Sequence, residues 1–200
     1  MRKRTPALLL VGFLVSALSW PACGGGTTSP DVEAPAPTPE TTPLPLVTTA
    51  YGLTIPLVGG QASTLDALWF SRGLSGAVGG STRTTVTVEP NPNRDLNMFF
   101  GESEVLGLGA TWRASAWMAA VVSSLLLGVD ISDYRFTYGA GGRIDGPSAG
   151  GLLTMATLAG LLGKGIDPQM TMTGSINPDG TIGPVGGVIQ KLDGAKAAGK

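Results

Sequence analysis

Asp145-Gly146-Pro147-Ser148-Ala149-Gly150, followed at once by Gly151-Leu152-Leu153-Thr154-Met155-Ala156, is the stretch around which the chain is organised. A serine between glycines and a proline, then an apolar run, reads as a tight turn that delivers a hydroxyl to a helix N-terminus. The alternating segment 133–138 reads as a strand feeding the loop 139–147, so Ser148 falls at a strand-to-helix junction. The first amides of such a helix have no partner inside it, and they or those of the turn (Gly146, Pro147, Ala149) form a candidate oxyanion site. The helix itself, 149–162, is apolar on every face and belongs in the core.

A serine nucleophile needs a proton acceptor, and the chain contains no histidine. The neutral-amine candidates are Lys3, Lys164, Lys191, Lys196 and Lys200. Lys3 belongs to the N-terminal leader, Lys164 sits between Gly163 and Gly165 at the helix end, and Lys200 is the last residue. In the helical segment 188–198 the apolar stripe at i, i+3, i+4, i+7 is Val188, Lys191, Leu192 and Ala195. This periodicity points Lys191 inward and puts Lys196 on the flank. Burial favours the neutral amine, so Ser148 and Lys191 are the candidate catalytic pair. Each has a plainer reading alone, as a helix-capping serine and a lysine covering apolar surface.

Three strings carry a family resemblance: 145–150, then Met172-Thr173-Gly174, then Gly183-Pro184-Val185-Gly186-Gly187-Val188-Ile189-Gln190-Lys191. Together they resemble the proteolytic domain of the Lon protease family, and 173–187 is similar to membrane-anchored Lon-like proteins without the cytosolic architecture. The likeness is specific over 132–200 and fainter back to 81. It implies Ser148 as nucleophile, Lys191 as base, Thr173 as the hydroxyl orienting the amine, and Asp145 as the acidic residue before the serine turn. The implied fold is α/β (α+β), a mixed sheet packed with helices. Ser175 departs from the pattern, since cytosolic Lon enzymes commonly carry glutamate there. The family also continues past the equivalent of Lys200 with at least another strand and helix, so the sequence reads as C-terminally incomplete.

With 200 residues, 42% of them hydrophobic, the chain can bury one core, expected over 46–200. Beyond the leader ten Lys+Arg face fourteen Asp+Glu with no basic stripe, which gives no support to nucleic-acid binding. A single cysteine, Cys23, excludes an intrachain disulfide and a cysteine metal cluster, and without histidine a zinc site is not expected. Gly194-Ala195-Lys196-Ala197-Ala198-Gly199-Lys200 imitates the first part of a phosphate-binding loop but lies in a helix. No cofactor is expected in the chain, and ATP dependence would have to come from a partner.

Met1-Arg2-Lys3-Arg4 and the apolar run 7–20 have the form of a secretory signal, 1–22. Ala22-Cys23-Gly24 resembles a lipoprotein processing site, making Cys23 a candidate lipid anchor, although Trp20 and Pro21 fit that motif poorly. Residues 23–45 are rich in Gly, Thr, Ser and Pro and read as an extended tether. The expected address is extracytoplasmic and membrane-anchored.

Strand-like runs are expected at 46–59 and 65–78, broken by Gly59-Gly60 and Gly79-Gly80, and a stronger strand at 82–89. Segment 96–100 is expected to pair with 82–89 in an antiparallel set. Segment 103–127 is a helix candidate, convincing from Thr111, buried or facing a partner rather than spanning a membrane. Segments 170–176 and 181–185 flank Asn177-Pro178-Asp179-Gly180 as a hairpin that would set Thr173 on a strand. The function that follows is a serine endopeptidase acting on polypeptides, with a homo-oligomeric ring implied by the family likeness. A silent Lon-like binding module and a small-substrate esterase or amidase are the alternatives.

Overall fold

The computed structural model describes residues 46–48, 52–56, 61–74 and 76–200. The leader (1–22), Cys23 and the whole of the tether read from the sequence (23–45) lie outside the described residues. In chain order the strands are β1 (Leu46–Thr48), β2 (Thr54–Pro56), β3 (Gln61–Gly73), β4 (Gly76–Pro90) and β5 (Met98–Glu102). Helix α1 (Ala110–Leu127), β6 (Tyr134–Ala140), α2 (Gly150–Leu161), the short pair β7 (Ser175–Ile176) and β8 (Ile182–Gly183), and α3 (Val188–Ala197) follow.

β1 and β2 pair only with each other, while the main sheet has the order β3-β4-β6-β5. Its register places Val88 opposite Phe136, Val86 opposite Tyr138, and Thr84 between Leu65 and Ala140. All seven side chains are buried, so the alternation in β4 marks one core-facing side with period two. Leu152, Leu153 and Ala156 of α2 and Trp112, Ala116 and Ala119 of α1 belong to the same apolar cluster. The Tyr138 hydroxyl and Thr157 Oγ1 satisfy each other at 2.8 Å, so the phenol is buried without an orphaned oxygen.

The sheet is mixed, as the α/β reading requires, but its details correct three expectations. β5 does not pair with β4; it lies parallel to β6, Phe99 beside Thr137. Both edges of β4 are already occupied, by β3 and β6. The chain after Pro90 is drawn across to the start of β6 by the Asn91 amide on the Asp133 carbonyl, 2.8 Å, and Asn91 Nδ2 on that of Ser132, 3.0 Å. Secondly, Gly79-Gly80 does not break the strand, and the hairpin turns instead where Gly73 pairs with Gly76. Thirdly, the hairpin β7–β8 is only two residues a side, and Thr173 lies ahead of it rather than on a strand.

α1 starts at Ala110, close to the expected Thr111, and buries the side that periodicity picked out: Trp112, Ser115, Ala116, Ala119, Val122 and Ser123. Its other side leaves Trp117, Val121 and Leu125 exposed. No helix among the described residues is long and apolar enough to cross a membrane.

Candidate active site

Ser148 sits in a short 3-10 turn, Pro147–Ala149, that runs straight into α2. The segment bearing Thr173 is clipped across this turn by main-chain bonds. The Gly174 amide donates to the Ser148 carbonyl and the Gly151 amide to the Gly174 carbonyl, both at 2.9 Å. Thr173 Oγ1 adds a third link, donating to the Ser148 carbonyl at 3.3 Å. A strand was not needed to bring Thr173 to the serine.

Lys191 arrives from α3. Its side chain is 1% exposed, and Nζ donates to Thr173 Oγ1 at 3.1 Å. Burial pushes the lysine pKa below its ordinary value. Lys191 therefore points inward as periodicity indicated, but the apolar stripe does not take it there. Val188 and Leu192 are 44% and 57% exposed, and the side of α3 that is buried carries Lys191, Gly194 and Ala195.

Main-chain approach explains the difference. A Cβ on Gly79 would lie 1.7 Å from the Gln190 carbonyl oxygen, and one on Gly194 would lie 2.5 Å from the Gly80 nitrogen. α3 thus rests backbone to backbone on the hairpin, a distance only glycines permit. On the neighbouring strand Trp69 faces Gly80 and Phe70 faces Gly79. The Phe70 ring lies over Lys191 Nζ, 5.7 Å from its centroid.

A cavity of about 270 Å³ opens between these elements. Ser148, Lys191, Asp145, Gly146 and Pro147 line it together with Trp69, Phe70, Pro184, Val185 and Gly186. No hydrogen bond joins Ser148 Oγ to Lys191 Nζ, so the two meet across the cavity rather than in direct contact. Trp69 and Phe70 were not singled out from the sequence; only the strand pairing reveals them.

Asp145 lines the cavity, but its carboxylate is engaged by α1. Its carboxylate accepts from the Thr111 and Trp112 amides, each at 3.1 Å, and from the Thr111 hydroxyl, capping α1 from outside the helix. The Thr111 hydroxyl and then the Gly146, Trp112 and Thr111 amides hold its pKa below the usual carboxylate range. Thr111 Oγ1 in turn accepts the Gly146 amide at 2.8 Å. That amide is therefore engaged by the protein, and proline has none. Ala149, the third turn residue named from the sequence, is buried at the end of the 3-10 turn, next to the Ser148 amide. Lys164 lies at the end of α2, Lys196 is exposed, and Lys200 pairs with Asp66 at 2.7 Å, so Lys191 is the lysine that lines the cavity.

Residues 137–200, which hold the serine turn, Thr173 and Lys191, match the sequence profile of the Lon protease (S16) C-terminal proteolytic domain. Over this segment the chain resembles the Lon proteolytic-domain family. It is 46% identical over 55 residues to a Lon protease of Methanosarcina barkeri, covering 28% of this chain and 7% of the relative. Against a Lon protease of Mycoplasma pneumoniae identity is 35% over 105 residues, 52% of this chain and 13% of that protein. Against Lon protease 1 of Bacillus subtilis it is 30% over 150 residues, 70% of this chain and 19% of that protein. The chain thus spans under a fifth of the length of each of these Lon proteases. The mixed sheet with its packed helices is consistent with a Lon proteolytic domain, and among the described residues no group of His, Cys, Asp and Glu could hold a metal ion.

Proposed function

We propose that this protein is a serine endopeptidase in which Ser148 and Lys191 act as a catalytic pair. The observation that carries the reading is one cavity lined by both groups, with the lysine buried and its amine bonded to Thr173. Because Nζ gives one N–H to Thr173 Oγ1, its lone pair in the neutral form is left for the serine proton. Lys191 takes that proton as Ser148 Oγ attacks the scissile carbonyl carbon. The resulting oxyanion is held by backbone N–H groups around Ser148, and the ammonium returns its proton to the leaving amine as the C–N bond breaks. Water repeats the sequence on the acyl-enzyme and frees Ser148.

The substrates fit the class that the name Lon protease implies for the relatives, namely polypeptides. The leader-like segment 1–22 and Cys23 support a membrane-anchored, extracytoplasmic address in this reading, where envelope proteins are the available chains; a ring of copies and any ATP dependence would come from partners. The test is cleavage of an unfolded protein, with fluorophosphonate labelling of the serine, in the separated membrane and soluble fractions of cells making the full chain, Cys23→Ala, Ser148→Ala or Lys191→Ala, with circular dichroism on the purified proteins. Both active-site variants should lose cleavage by at least about a hundredfold with unchanged circular dichroism. Cys23→Ala should keep cleavage but leave the membrane fraction. Undiminished cleavage by Ser148→Ala or Lys191→Ala would refute the pair, and retention of Cys23→Ala on the membrane would refute the anchor.

A further inference from the structure

The lysine is dry although the helix that carries it is not. Val188, Ile189 and Leu192, its neighbours on α3, are 44%, 72% and 57% exposed, against 1% for Lys191. The cover therefore comes from across the seam, and the residue placed to supply it is Phe70 of β3, whose ring stands over Nζ.

The seat of that ring is built. A Cβ on Gly187, which has φ +68°, would fall 2.2 Å from the ring, and one on Gly186 would fall 3.5 Å from it. The loop into α3 thus wraps the aromatic side chain at main-chain distance. Phe70 also lines a second hollow, shared with Trp69, Ser71, Val78, Arg143 and Asp145, so it stands between the lysine and the open side of the groove.

We propose that Phe70 is a positioning residue for the general base, its ring closing the cavity over the Lys191 amine and keeping water from it. This rests on the peptidase reading. Two effects of the ring oppose each other. An aromatic face attracts a cation and favours the charged amine, whereas exclusion of water favours the neutral one. The placement makes exclusion the larger, because the ring is part of the wall that leaves the amine buried and, among the described residues, the amine's hydrogen-bond partner is a neutral hydroxyl.

Few charges compete for that amine. Asp145 is the carboxylate that lines the same cavity, and it is engaged with the first turn of α1. Asp193 on α3 is exposed, and Asp66 on β3 is paired with Lys200. Arg143 lines the hollow on the other side of Phe70 and not the cavity that holds the amine, and Arg72 of β3 and Arg83 of β4 line neither.

The experiment is a titration of the Lys191 side-chain carbon next to nitrogen by NMR in the full domain, for wild type, Phe70→Leu and Phe70→Ala, beside their peptidase pH profiles. The proposal expects the midpoint to climb from wild type to Leu to Ala as water gains access. The rising limb of kcat/KM should move with it, by about one pH unit for Ala, which is about a tenfold loss at a fixed pH on that limb. A residue needed only for folding would lower activity equally at every pH. If alanine unfolds the domain, Phe70→Leu alone carries the test. Midpoints that stay level or fall overturn the proposal. Climbing midpoints in a protein that cleaves nothing would remove the peptidase reading and leave the shielding of the amine in place.

Discussion

A lysine amine accepts a proton only in the molecules where it is uncharged, so the service Lys191 can give is set by its surroundings. Its folded pKa is lowered by burial from an ordinary value near 10.5. The base is protonated and idle below the folded pKa and ready above it. Peptidase activity should therefore rise with pH along a single limb centred below 10.5. A kcat/KM profile from pH 6 to 10.5 with non-denaturing controls measures it. A profile flat across that range, or one falling with pH, would exclude this amine as the acceptor. At this scale the sequence was informative where chemistry is local to a motif: Ser148, Thr173 and Lys191 come together as the strings implied. It was silent on Phe70 and Trp69, because an aromatic pair in a strand looks alike whether it lines a core or a cavity. Thr111 was silent too, since its link to Asp145 and Gly146 spans more than thirty residues.

Among the elements, α3 and the β3–β4 hairpin determine where the amine stands, and glycines determine how they meet. Gly79→Ala would put a methyl carbon 1.7 Å from the Gln190 carbonyl oxygen, so the helix must move outward. Such overpacking costs about 1–3 kcal/mol, and displacing Lys191 should lower activity by more than the loss of folded protein accounts for. Urea denaturation together with kcat on the folded fraction checks this, with Gly165→Ala as control, since nothing lies within 4 Å of a Cβ there. The seam also explains two misread elements. A Gly-Gly pair has the composition of a turn, and only the helix laid on it shows it to be strand. On α3 the apolar residues follow helical periodicity, yet the buried side is chosen by glycine and alanine, whose small size lets the backbone in. β5 was misplaced because pairing partners depend on which edges are vacant, information that no single segment holds.

For the whole molecule, a buried ammonium is a standing cost of folding. In the unfolded chain Lys191 keeps its ordinary pKa, so between the folded value and about 10.5 the unfolded state binds more protons. Stability from this residue therefore rises with pH through that window, and the penalty is fully present below it. Lys191→Met, which fills similar space without charge, should abolish that slope and raise stability at neutral pH by on the order of 1 kcal/mol, while eliminating cleavage. Urea midpoints at pH 7 and pH 10 for both proteins decide it; a variant clearly less stable at pH 7 would contradict the argument. The broad architecture was legible because period-two burial in β4, the all-apolar α2 and the one-sided α1 are patterns that burial writes directly into residues.

The seam of glycines has one more consequence. Since main chain touches main chain, the outward surface of α3 plays no part in setting the position of the amine. Val188, Ile189 and Leu192 can be exchanged for hydrophilic residues to improve solubility, or drift through generations, while the distance between hairpin and helix axis stays as the two backbones fix it.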